Sequence, residues 1–263
     1  MGDQSQPIGI EQLRLAPPPG TRMLVVGGCG GIGAKLVEAA LAADNEVAVM
    51  DLPRSIKEKT PPAQVAAIPV DVTSSDSVEQ AFVELVRHWQ SFEVLVNLAG
   101  FATPRVPIET FKDEDWDQVV ATSLRGSFLV ARRALPMIRA DGGGSIVNTA
   151  SGLAFHVMPG FGPYSAAKAG VIALTKVLAR ENAPHIRANA IAPHAVRTQF
   201  LIGGTGRDEQ PAQIDIETYA NAVPMKRMAD IMDVVGPLLF LAGPASRFMT
   251  GQTLLINGGQ LTP

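Results

Sequence analysis

The sequence predicts an α/β fold, a single domain wound on a doubly wound parallel sheet of about seven strands with helices on both faces. Three observations carry that prediction. Short apolar runs alternate with stretches whose apolar residues recur at helical spacing. The runs are apolar on nearly every residue, as strands covered on both faces require. A glycine-rich turn separates the first run from the first helical stretch.

Taken in order, "RMLVVGG" (22–28) is an apolar run ending in glycines and "GAKLVEAALAA" (33–43) has helical spacing, so the chain opens as strand, tight turn, helix. "EVAVMD" (46–51) is the second strand. Further strands are expected at 64–70, 93–100, 144–151, 186–193 and 252–258, with helical patterns between most of them. No Pro/Gly-rich linker divides residues 21–263 and no repeat is evident. "LAPPPG" (15–20) reads as a stiff linker that sets a polar N-terminal extension, residues 1–20, apart from the domain. Residues 194–225, with "GGTGRDEQPAQ", form the longest irregular stretch at the ligand-binding edge of such a sheet and have the length of a lid or a disordered loop.

Hydrophobic residues at 46% with charged residues at 18% allow a large core and exclude a disordered chain. The 22 Lys and Arg and 25 Asp and Glu are scattered, so no basic face for nucleic acid is expected. Cys29 is the single cysteine and no Cys/His cluster has metal-ligand spacing, which points to a cytosolic location without a metal. No run of apolar residues is long enough to span a membrane, and the first 22 residues lack signal-peptide features.

"VVGGCGGIG" (25–33) lies between the first strand and the first helix. There glycines let the backbone approach a pyrophosphate and the helix N-terminus supplies amide donors, although a tight turn alone also needs glycine. Gly27, Gly31 and Gly33 have the key spacing. Asp51 ends the second strand at the offset of an acid that hydrogen-bonds a ribose 2′-hydroxyl, which favours NAD over NADP. Neither Cys29 nor Gly30 offers a cation for a 2′-phosphate, and only Arg54 argues the other way. Cys29 reads as a small residue in a crowded turn. Asp71, before "TSSD", either reaches the adenine end or caps a helix, roles that can coexist.

"GFGPYSAAKAG" (160–170) sets Tyr164 and Lys168 one helical turn apart, in a chain with only two tyrosines. A nearby ammonium is expected to lower the phenol pKa and make it usable as an acid or base, but the same pair is common on solvated helix faces. The corroboration lies at the strand ends. "VVGGCGGIG", "NLAG" (97–100), "SIVNTAS" (145–151), "YSAAK" (164–168), "IAPHAVRT" (191–198) and "TGQTLLINGG" (250–259) together resemble the motifs of the classical short-chain dehydrogenase/reductase family over residues 21–259.

The resemblance implies a Rossmann-type fold and a hydride exchange between a nicotinamide cofactor and a secondary alcohol or ketone. It implies that Ser151 bonds the reacting oxygen, Tyr164 exchanges its proton, and Lys168 holds the nicotinamide ribose. It places Gly27, Gly31 and Ile32 at the pyrophosphate, Asp51 at the adenosine ribose, and Asp71 and Val72 at the adenine. Asn97 and Gly100 sit under the cofactor, and Val196 and Thr198 fix the carboxamide. Gly30, Leu52, Ala99 and Pro193 complete the cofactor-binding set. Taken singly, Ile32, Val72 and Val196 also read as ordinary core residues.

Three positions depart from the pattern: Val26 replaces the turn threonine, Ser123 an asparagine thought to hold a relay water, and His194 the glycine of a Pro-Gly pair. Phe155, His156, Phe161, His194 and Phe200 are candidate substrate contacts, suggesting an apolar or cyclic substrate in which a histidine meets a polar or anionic group. The resemblance further implies a homotetramer through residues 116–139, residues 163–181 and the C-terminal strand. The competing readings are an NADPH-dependent 3-oxoacyl-type ketoreductase, a non-catalytic NAD-binding sensor and a non-redox lyase.

Overall fold

The computed structural model describes residues 14–101, 103–206, 208 and 214–261. Seven parallel strands lie in the order β3-β2-β1-β4-β5-β6-β7. They are β1 (Arg22–Val26), β2 (Glu46–Asp51), β3 (Ala66–Pro69), β4 (Val94–Asn97), β5 (Gly144–Thr149), β6 (Ile186–Pro193) and β7 (Thr253–Ile256). Each lies within the corresponding apolar run of the sequence. The runs overshoot at the glycines and polar residues that leave the sheet to form loops, as at Gly27 and Gly100.

The helices are α1 (Gly31–Ala42), α2 (Pro53–Glu58), α3 (Ser75–Val86), α4 (Asp113–Val120), α5 (Gly126–Ala140), α6 (Gly162–Asn182), α7 (Ile216–Ala222) and α8 (Met232–Ala242). A π-helical segment, Ala121–Arg125, joins α4 to α5 inside what the sequence reads as one helix. The stretch 194–225 is partly ordered, with a 3-10 turn at Gln199–Ile202 and α7; residues 207 and 209–213 of its "GGTGRDEQPAQ" lie outside the described residues, as do residues 1–13 of the N-terminal extension. The Pro18 carbonyl accepts from Thr21 Oγ1 at 2.7 Å and Asn45 Nδ2 at 2.6 Å, so this part of the proline stretch packs on the domain instead of standing off as a spacer.

Alternate residues of each strand enter opposite cores, because successive side chains point to opposite sheet faces. Leu24, Met50, Leu95 and Ile146 pack with Phe82 and Leu85 of α3, Ile138 of α5 and Leu178 of α6. Met23, Val25, Val49, Val96 and Val147 pack with Leu36 of α1 and Leu238 of α8. Each such fully buried aliphatic side chain contributes about 1.5–3 kcal/mol of transfer free energy. The winding reverses between β1 and β4, and the crevice beyond their carboxyl ends is where such sheets bind ligands.

Gly144 opens β5 where it crosses the end of β4. A Cβ there would collide with the Glu93 carbonyl oxygen and lie 3.0 Å from Ile138 Cγ2. Gly144→Ala is expected to cost about 2–3 kcal/mol, because backbone cannot yield as a flexible side chain can. Urea denaturation should show a lower midpoint at unchanged slope.

Candidate active site

At the first crevice position, Gly27 adopts φ +81°, a conformation that favours glycine. A Cβ on Gly33 would collide with the Gly27 carbonyl oxygen, and one on Gly31 would lie 2.9 Å from Thr198 Cγ2. Gly31 and Gly33 therefore have to stay free of side chains. Gly30 caps α1 without a side-chain bond and the first turn of α1 holds no acid, so its amide donors are open to an anion. That donor set fits a pyrophosphate, so the chain can hold a dinucleotide here.

The Asp51 carboxylate accepts from Cys29 N at 2.9 Å and Leu52 N at 2.8 Å. Burial pushes its carboxyl above the usual range while these amides pull it down. Burial and Asp51 together push the Cys29 thiol up to about 12, so no reactive thiolate forms there. Asp71 Oδ1 accepts from Thr73 N and Oγ1 at 2.9 and 2.7 Å, whereas Ser74 is the side chain that caps α3. From the far side, Ser55 Oγ donates to Thr205 O at 3.1 Å, Gly206 N donates to Glu58 Oε2 at 3.0 Å, and Arg54 pairs with Asp208 at 3.1 Å. The segment after β6 thus reaches α2, which follows Asp51.

Tyr164 and Lys168 both lie on the buried side of α6, 6% and 3% exposed, rather than on a solvated face. Lys168 Nζ donates to the Thr149 carbonyl at 2.7 Å, just where β5 ends, and lies 5.7 Å from the centroid of the Tyr164 ring. Ser151 Oγ accepts from Leu153 N at 3.2 Å, and the Ser151 side chain acts to lower the pKa of the Tyr164 hydroxyl. Gly100 lets the amine approach: a Cβ there would lie 3.2 Å from Nζ and 3.5 Å from Ser123 Oγ. Ser123, on the π-helical segment, is fully buried, and its Oγ has no hydrogen-bond partner among the described residues.

The electrostatics of the site run against the expectation of a lowered phenol pKa. Burial pushes Tyr164 up to about 12, with the Ser151 side chain pulling the other way. Burial likewise brings Lys168 down to about 8. Desolvation disfavours the charged form of each group, which raises a phenol and lowers an amine.

One cavity of about 1270 Å³ runs from Asp51 past the glycine turn to Tyr164 and Ser151. Gly27, Gly30, Gly31, Ile32, Leu52, Asp71, Val72, Ala99, Gly100, Pro193, Val196 and Thr198 line it. Asn97 stays behind the wall, where Nδ2 donates to Ser127 Oγ at 3.1 Å and Oδ1 accepts from Ala99 N at 3.2 Å. Phe161, His194 and Phe200 line the substrate end. Phe200 packs on Tyr164 with ring centroids 6.2 Å apart. Phe155 and His156, expected there too, are exposed and outside the lining, because the 3-10 turn Gly152–Ala154 carries them outward. Arg105, Tyr219 and Gln260 are among the lining residues that the sequence reading does not single out. Tyr219, the second of only two tyrosines, had that rarity as its one signal.

A phosphate-ready turn at the switch point and a buried hydroxyl pair at the next strand ends, sharing one cavity, define a nucleotide-binding oxidoreductase architecture. Residues 27–260 match the family model described as enoyl-(acyl carrier protein) reductase. The chain is 37% identical, over 90% of its length and 93% of the relative's, to a probable galactose dehydrogenase of Rhizobium meliloti strain 1021. It is 32% identical to the 3-oxoacyl-[acyl-carrier-protein] reductase of Thermotoga maritima, over 90% of this chain and 96% of that protein. The structure of a short chain dehydrogenase from Leptospira borgpetersenii serovar Hardjo-bovis with bound NAD+ superposes with TM-score 0.79 at 28% identity, covering 93% of this chain and 94% of that one. The chain belongs to the short-chain dehydrogenase/reductase family, whose members bind NAD(H) or NADP(H).

Lys168 moves from the ordinary 10.5 to about 8 on folding. Between those values the unfolded chain binds a proton that the folded chain releases, so unfolding free energy rises with pH across that window. The slope is at most about 1.4 kcal/mol per pH unit. The wild type is expected to gain about 2 kcal/mol over Lys168→Met between pH 8 and 10, by urea denaturation of the ligand-free protein. Parallel pH dependence in the two proteins would exclude a depressed Lys168.

Proposed function

We propose that this protein is an NAD-dependent oxidoreductase that interconverts a secondary alcohol and a ketone. The observation that carries the reading is the Ser151–Tyr164 hydroxyl pair, backed by buried Lys168, in one cavity with the open glycine turn and Asp51. A bound nicotinamide supplies the hydride acceptor or donor. Ser151 holds and orients the substrate oxygen. Tyr164 takes the proton from that oxygen as the alcohol is oxidised, and returns it in the reverse direction. Lys168, in its charged form, favours the phenolate and holds the nicotinamide ribose.

The unpaired Ser123 hydroxyl converges with Lys168 Nζ beside Gly100, which supports a water held between them as a proton relay. Asp51 supports NAD, since its carboxylate meets a ribose diol by hydrogen bonding and a 2′-phosphate by repulsion. Arg54, the nearby cation, is engaged by Asp208. By their descriptions the relatives include a sugar dehydrogenase and an acyl-carrier-protein-linked reductase, so they leave the substrate open.

A homotetramer is part of the proposal. Trp116 and Phe128, Val177 of α6, and the fully exposed Phe248 before β7 leave apolar surface where the sequence places the contacts. Light scattering on the eluting protein should then read four times the 27.7 kDa chain mass.

Tyr164→Phe is expected to lower oxidation of a secondary-alcohol panel by about a thousandfold, followed at the reduced-nicotinamide absorbance, with NAD affinity retained. Asp51→Ala should weaken NAD binding about tenfold by calorimetry and leave NADP binding equal or improved. Turnover that survives Tyr164→Phe, or a wild type that prefers NADP, would refute the corresponding half of the reading.

A further inference from the structure

His194, at the end of β6, carries a ring nitrogen whose proton the surrounding hydrogen bonds assign. Ala195 N donates to Tyr219 Oη at 3.3 Å. Tyr219 Oη lies 3.0 Å from His194 Nδ1, and no other acceptor for its proton is present among the described residues. The phenol therefore donates to Nδ1, and the neutral imidazole holds its proton on Nε2. The stacked rings, 5.8 Å between centroids, hold that arrangement. Burial, with His156 acting in the same direction, lowers the His194 pKa and keeps the ring neutral.

His194 Nε2 is buried and has no hydrogen-bond partner among the described residues. Gln260 Oε1 is buried and unpartnered in the same way. Both residues line the cavity, and the strands they follow, β6 and β7, are paired at Pro193 and Ile256. The His194 ring lies against Gly152, where any Cβ would collide with Cδ2, so the imidazole edge abuts the residue that follows Ser151. A buried unsatisfied donor costs about 1–3 kcal/mol and an unsatisfied acceptor costs similarly, so a buried donor and a buried acceptor left unpartnered in the wall of one cavity call for groups that complete them.

A hydroxyl group does so, because it accepts from Nε2–H and donates to Oε1. A carboxylate leaves Oε1 without a donor, and an ammonium leaves Nε2–H without an acceptor. We propose that His194 and Gln260 bind a substrate hydroxyl adjacent to the carbon that reacts at Ser151 and Tyr164, so that the substrate is a vicinal diol or polyol rather than a simple alcohol. Tyr219 is a positioning residue that sets the His194 tautomer. The inference rests on the alcohol-oxidising reading above and names its substrate class.

The test compares kcat/KM, with NAD, for butane-2,3-diol against 2-butanol and for cis-cyclohexane-1,2-diol against cyclohexanol, in the wild type, His194→Phe and Gln260→Leu. Calorimetric NAD binding checks that each variant is folded. The wild type is expected to favour the diols at least about tenfold, the size of one good hydrogen-bonding interaction. Each variant should bring that ratio towards one, mainly by raising KM for the diol. A wild-type ratio near one, or a ratio that survives in either variant, overturns the inference and leaves alcohol oxidation standing. If no alcohol is turned over while NAD binds, the oxidoreductase reading falls and this inference falls with it.

Discussion

A parallel sheet buried on both faces governs everything else in this molecule. The apolar residues of β1, β4 and β5 divide between two cores, as the split of Met23 and Val25 from Leu24 and Val26 makes plain. The charged residues of the strands, Arg22, Glu46, Asp51 and Arg187, stand at or next to strand ends, as burial on both faces favours. Because the strands run parallel, their carboxyl ends share one edge, and the glycine turn, Gly100, Ser151 and His194 gather there from sequence positions far apart.

Close backbone approach is the second constraint. Gly33 lets α1 pack on the turn, Gly100 lets Lys168 and Ser123 meet, and Gly152 admits the His194 ring. At Gly33 and Gly152 a methyl group would collide with a neighbouring atom, and at Gly100 it would crowd Lys168 Nζ at 3.2 Å. The π-helical segment between α4 and α5 has a related effect: it places the Ser123 hydroxyl inside the protein beside the amine, unpaired. Burial raises Tyr164 and lowers Lys168.

The segment after β6 links the two ends of the cavity. Its 3-10 turn sets Phe200 against Tyr164, its strap bonds α2 through Thr205 and Gly206, and its α7 delivers Tyr219 to His194. Among the described residues, this piece of chain thus contacts α2 near Asp51 as well as Tyr164 and His194.

The layered α/β architecture, seven strands, the glycine turn, Asp51 and the Tyr164–Lys168 pair were legible in the sequence. Apolar periodicity and glycine spacing are local consequences of the sheet and of the backbone turn. The tertiary structure alone decided the remainder. The break at Ala121–Arg125 and the positions of Arg105, Tyr219 and Gln260 depend on packing between elements distant in sequence. So does the outward turn of Phe155 and His156, which a loop sequence does not encode. Even the sign of the Tyr164 shift belongs to the fold, because helical spacing brings the charge near while only burial sets its strength.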